Sequence, residues 1–285
     1  MSIDEICKKY QITNYTINDD GSIDVNNSVY LAESVYSTGN ELTELPLKFN
    51  KVNGSFNCSR NKLTTLIGCP KEVSNGFYCA ENELTSLEYC PEYVGLNFDC
   101  NSNELTSLEG SPENLIGDFD CQGNNLTDLK GGPKSVQGGY FSSTNNLTSL
   151  EGSPEEIGYE FDCSVNNLTD FKYGPKKVES HFTADDNKLT SLKGCPEYVN
   201  GHFTLSDNYL REIDYLPDFV KLKCHITNNP ISVIFDNVDL DYLKTFNSYK
   251  ILKDNVINLK RLRYYAETFN IYISVNTIKK HYTIK

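Results

Sequence analysis

"FDCNSNELTSLEG" runs from Phe98 to Gly110, and "FDCQGNNLTDLKG" follows from Phe119 to Gly131, 21 residues further on. With Leu105 as the anchor of the first stretch, equivalent apolar positions fall at Leu42, Leu63, Leu84, Leu126, Leu147, Leu168, Leu189, Leu210 and Ile231, with no insertion between them. The shared pattern is roughly F-x-C-x-x-N-x-L-T-x-L-x-G-x-P-x-x-V-x-G-x. A fixed period of this size is the mark of a solenoid, in which each unit buries its apolar side only by stacking on its neighbours.

Each position has a reading. In F-x-C alternate residues are apolar, as a short strand with one buried side requires, so Phe98 and Cys100 point inward and Asp99 outward. The Asn that follows, at Asn61, Asn82, Asn103, Asn124, Asn145, Asn166, Asn187 and Asn208, stands where the strand ends, and its short amide can satisfy backbone groups left open by the turn. Stacked asparagines should form a ladder. L-T-x-L then supplies two more inward residues, Gly and Pro break regular structure on the outer arc, and Val94, Val136 or Val178 turns inward again.

These residues resemble the leucine-rich repeat family, with F-x-C-x-x-N-x-L in place of that family's L-x-L-x-x-N-x-L, over about residues 35 to 235. With "YTINDDGSIDVNNSVYL" from Tyr15 and "LTELPLKFNKVNGSFNCS" from Leu42, the chain more particularly resembles leucine-rich repeat proteins encoded by tailed bacteriophages. The resemblance implies a leucine-rich repeat solenoid and a viral setting, but no activity. The expected fold is β-rich within the α/β class: a curved single parallel sheet on the concave face, an extended or irregular convex side, and small α+β caps at both ends. The expected organisation is an N-terminal cap over 1–34, a solenoid of about ten 21-residue repeats over 35–235, and a C-terminal α+β cap over 236–285. In the caps, Ser2 to Tyr10 reads as a short helix and Tyr15 to Leu31 as a hairpin around Asp20-Gly21. Val256, Leu259, Leu262, Ala266 and Phe269 recur at helical spacing, and "IYISV" from Ile271 reads as a strand.

The net charge is −13 over 285 residues. Residues 232–285 hold nine Lys/Arg against five Asp/Glu, or +4, which leaves −17 for the rest. An acidic body of this kind should repel nucleic acid, whose binding relies on Lys/Arg neutralising phosphates, and should attract a basic partner. No apolar run approaches the ~20 residues of a membrane-spanning helix, and "MSIDEICKKYQ" lacks the order of a secretory signal. A cytoplasmic protein is therefore expected, in the host cell if the chain is viral, with reduced cysteines and neither direct nucleic-acid binding nor membrane association.

Cys58, Cys79, Cys100, Cys121 and Cys163 repeat at one inward position, where Ser142 and Ala184 also serve. They read as small core residues, and neither a cofactor nor a resident metal is expected. The fold does not dictate the outward positions flanking the inward Phe, and there the repeats diverge. Asp99, Asp118, Asp120, Glu160 and Asp162 form an acidic block around an outward Phe141, with Tyr78 toward the N-terminal side. An aromatic set among charges is the composition of a protein-binding surface. His181, His202 and His225 lie on neighbouring strands of the same face, with Asp185, Asp186 and Asp207 nearby. Together these residues predict a noncatalytic scaffold that holds a basic protein partner, expected to be a host defence or nucleic-acid-handling protein that it inhibits or redirects. The rival readings are an acidic nucleic-acid mimic, a structural or assembly component of a virion, and a metal-dependent hydrolase built on the His/Asp cluster.

Overall fold

A computed structural model describes residues 1–31, 41–234 and 239–285. The boundaries expected at 34/35 and 235/236 fall at the segments 32–40 and 235–238, outside the described residues. The F-x pairs form one ten-stranded parallel sheet from Val29–Tyr30 to Cys224–His225, in chain order and in register: Phe98 pairs with Phe119, and Asp99 with Asp120. The molecule is thus a β-solenoid of stacked parallel strands with a 21-residue spacing.

The core follows from the register. Phe56, Phe77, Phe98, Phe119, Tyr140, Phe161, Phe182 and Phe203 stack into a column with ring centroids 5.0 to 5.9 Å apart. Identical strands at one spacing hold aromatic rings within contact distance at every step. The five column cysteines are buried beside it, as are both leucines of the L-T-x-L units from Leu63 onward, such as Leu105 and Leu108, whereas Leu42 and Leu45 of the first unit are partly buried. The asparagines form the expected ladder. Asn124 Oδ1 accepts the Leu105 N–H of the preceding turn at 3.0 Å, while its Nδ2 donates to the carbonyls of Cys100 and Cys121, each at 3.1 Å. Asn229, not among the eight named above, continues the ladder through the Leu210 N–H at 2.9 Å.

The single-sheet expectation is corrected. The x-V pairs of the return segment build a second run of parallel strands. One five-stranded sheet starts with the antiparallel strands Tyr15–Ile17 and Ile23–Val25, continues parallel and ends at Tyr93–Val94, and a six-stranded parallel sheet runs from Asn114–Leu115 to Phe219–Val220. Once the inward Val is fixed every 21 residues, the extended backbone beside it meets its copy one turn away, and the N–H and C=O groups pair. The outer arc stays irregular around Gly110, whose φ of +99° is left-handed and whose added Cβ would stand 2.6 Å from the Leu87 carbonyl oxygen. Tyr89, Tyr173 and Tyr215 occupy the same left-handed position in their repeats.

At the N-terminal end, helix α1 (Ile3–Lys9) starts from a Ser2/Glu5 capping box, and Tyr15–Ile17 pairs antiparallel with Ile23–Val25. The C-terminal segment contains α2 (Leu240–Ser248), α3 (Leu259–Phe269) and α4 (Val275–Ile278). The strand expected from Ile271 is absent there. Ser274 instead caps α4 through its side chain, and the strand that completes the small sheet is Thr283–Ile284, beside Val256–Ile257.

Candidate functional site

The outward side of the ten-stranded sheet carries two rows of side chains, one residue before and one residue after each inward aromatic. Strand register fixes the rows: Tyr78, Asp99, Asp120, Phe141 and Asp162 are successive neighbours in the second row. Asp118 and Glu160 flank Gly139 in the first. All these side chains are half-buried.

Much of the acidic row does backbone work. Asp99, Asp120 and Asp162 each accept the N–H two residues on, from Asn101, Gln122 and Ser164, at 2.9 to 3.0 Å. Asn57 does the same for Ser59 at 2.9 Å, so the turn needs a short side-chain oxygen and not a charge. In the first row, Asp118 accepts the Gly139 N–H one strand away at 2.7 Å, as Asn97 does for Asp118 at 3.0 Å. This use of the outward residues was missed in the sequence reading, although the recurrence of Asp or Asn at 57, 99, 120 and 162 carries its signal.

Among the described residues none of Asp99, Asp118, Asp120, Glu160 and Asp162 pairs with Lys or Arg. Acids elsewhere on the solenoid do, as in Lys51–Glu72 at 2.7 Å and Lys130–Glu151 at 2.8 Å. Burial pushes the Asp99 carboxyl up to about 6, and the charge of Asp120 adds to it against the Asn101 hydrogen bond. Asp120 and Glu160 are raised as well, chiefly by burial.

Three outward aromatics stand in the second row, Tyr30 at its exposed end and Tyr78 and Phe141 further along, and the last two reach over glycine. A Cβ on Gly139 would stand 2.6 Å from Cζ of Phe141, and one on Gly76 would stand 2.5 Å from Cζ of Tyr78. Each ring folds back along its own strand onto a position without a side chain. The i, i+2 coincidence of Gly with an outward aromatic is visible in the sequence, and only the geometry gives it meaning.

The histidines come together. His181 and His202 stack with centroids 5.2 Å apart, and His225 Nε2 lies 3.0 Å from His202 Nδ1. His181 Nδ1 accepts the His202 N–H at 3.0 Å, and His202 Nδ1 accepts the Lys223 N–H at 3.3 Å. Burial lowers the His202 pKa, and the neighbouring His225 and His181 lower it further. The three rings line an open depression of about 410 Å³ with Glu160, Thr183, Asp185, Thr204 and Ser206. Asp185, whose carboxyl is raised by burial, accepts the Ser206 N–H. Asp186 and Asp207 are exposed, and Asp207 accepts from Asn228 instead of facing the rings. Among the described residues no group of three or more His, Cys, Asp or Glu is arranged to hold a metal ion, and no helix is long and apolar enough to cross a membrane.

The geometry defines a parallel β-solenoid whose long sheet presents an acidic face that carries the outward rings of Tyr30, Tyr78 and Phe141. Scans against protein-family models and against curated proteins each return no match.

Proposed function

We propose that the chain is a noncatalytic binding scaffold of leucine-rich repeat type, encoded by a bacteriophage, which holds a basic host protein on the face of its long sheet and inhibits or redirects it. The observation that carries this reading is the set of five half-buried carboxylates on the strands around and next to Phe141, none of which pairs with Lys or Arg among the described residues. Like charges on adjacent strands destabilise a sheet. Asn57 demonstrates that a neutral residue does the same backbone work. The surplus charge is therefore explained by a partner that neutralises it on binding. The leucine-rich repeat assignment draws its support from the F-x-C-x-x-N-x-L pattern and from the asparagine ladder that pattern builds. The viral setting rests on the likeness of the quoted segments alone.

The test immobilises the protein beside a Phe141→Ala, Asp118→Lys, Asp120→Lys variant, passes bacterial and infected-cell lysates over both, and identifies what is retained. A basic protein held only by the unmodified face supports the proposal. Equal retention on both would overturn it.

A further inference from the structure

The acidic row has a backbone role, but nothing in the fold requires the two rings. The far end of the Phe141 ring fills the space above Gly139, and that of Tyr78 the space above Gly76, so each side chain runs back along its own strand. Around Phe141 the frame is four carboxylates, Asp120 and Asp162 from the strands on either side in its own row, and Asp118 and Glu160 flanking Gly139. Around Tyr78 it is Asn57 and Asp99, by the same register. An aromatic face edged by carboxylates attracts a cation twice, through the ring quadrupole and through the charges beside it. Arginine suits this arrangement better than lysine, because its planar guanidinium stacks on a ring while its N–H groups reach carboxylates at the edge.

We infer that Phe141 and Tyr78 are paired receptors for arginine side chains, and that the partner presents two arginines four residues apart in an extended segment lying across the strands. The inference rests on the binding reading above and specifies its ligand. The two rings stand three strands apart, which is about 14 Å at the spacing of paired strands. An extended segment rises about 3.4 Å per residue, so a four-residue step covers about 14 Å, and residues at even separation leave the same side of the segment.

The experiment uses the full chain and two fluorescent peptides of equal length and charge in a neutral Gly/Ser background. One carries arginines four positions apart and the other carries them adjacent. Anisotropy titration should give about tenfold tighter binding for the spaced peptide, because only it engages both receptors at once. Phe141→Leu, which keeps every charge, should remove about fivefold of the spaced peptide's affinity. Replacing the arginines by lysines should also weaken binding. Equal affinity for the two peptides would overturn the paired-receptor inference while leaving a generally acidic binding face in place. Binding of neither peptide overturns it as well, and lysate capture then decides the wider reading separately. Since the central comparison is made on the unmodified protein, a folding defect in a variant cannot obscure it.

Discussion

The ring of Phe141 occupies the space that a side chain at residue 139 would need: a Cβ on Gly139 would meet Cζ and Cε2 of the phenyl at 2.6 and 2.7 Å. Gly139→Ala should therefore displace the ring while the strand beneath it stays intact, because the atoms that must move are the far end of a side chain. The expected cost in stability is within about 1 kcal/mol, with partner capture reduced as strongly as by Phe141→Ala. Thermal melts and capture on the same preparation check both halves.

The asparagine ladder ties consecutive turns together, and cutting one rung should be costly. Asn124 is 6% exposed, and its amide serves the Leu105 N–H and the carbonyls of Cys100, Cys121 and Gln122. Asn124→Ala would leave buried backbone groups unpaired, a loss of about 3 kcal/mol. Asn125→Ala, at the exposed next position, should change stability by less than about 0.5 kcal/mol. Urea denaturation of the pair measures the difference.

Tyr140 replaces phenylalanine in the aromatic column, and among the described residues its buried hydroxyl has no hydrogen-bond partner. It is accommodated by Gly132, where an added Cβ would stand 2.9 Å from Oη. Removing the hydroxyl takes away a desolvated polar group, so Tyr140→Phe should raise stability by about 1 kcal/mol. An unchanged or lower midpoint would speak against this packing.

The Asp99 carboxyl sits at about 6 in the folded protein, against an ordinary value of 3.8. Between those values the folded state holds a proton that the unfolded chain has released, so stability falls as pH rises through this window. The charged form is fully penalised above about pH 6, and the penalty vanishes below about pH 4. Asp99→Asn, which keeps an acceptor for the Asn101 N–H as Asn57 does for Ser59, should stabilise the protein at pH 7 by about 1 kcal/mol after allowance for solvent screening. The gain should disappear at pH 4, as melts across pH would record.

The repeat made most of the fold legible. The period fixed which residues stack, and alternation in F-x-C assigned Phe and Cys to the core and Asp to the surface. The asparagine at the strand end announced its ladder. The second run of strands was not legible, because x-V-x-G offers too few residues for alternation to register and its pairing arises only once the stack exists. In the C-terminal segment no repeat constrains the reading. There the β-branched run at Ile271–Val275 was outweighed by the Ser274 cap, whose side chain accepts the Thr277 N–H. At the candidate site the sequence grouped Phe141 with its carboxylates and gathered the three histidines. It did not reveal that Asp118, His181 and His202 serve the backbone of the next strand, since that partner lies 21 residues away.

The most direct test of the central claim places a photo-crosslinking p-benzoylphenylalanine at residue 141, on the long sheet, or at residue 93, where Tyr93 is exposed on the return strands. Each protein is then irradiated in lysate. The account predicts an adduct with one basic protein from position 141 and none from position 93. An adduct of equal yield from both positions, or from position 93 alone, would contradict the assignment of the acidic face as the binding surface.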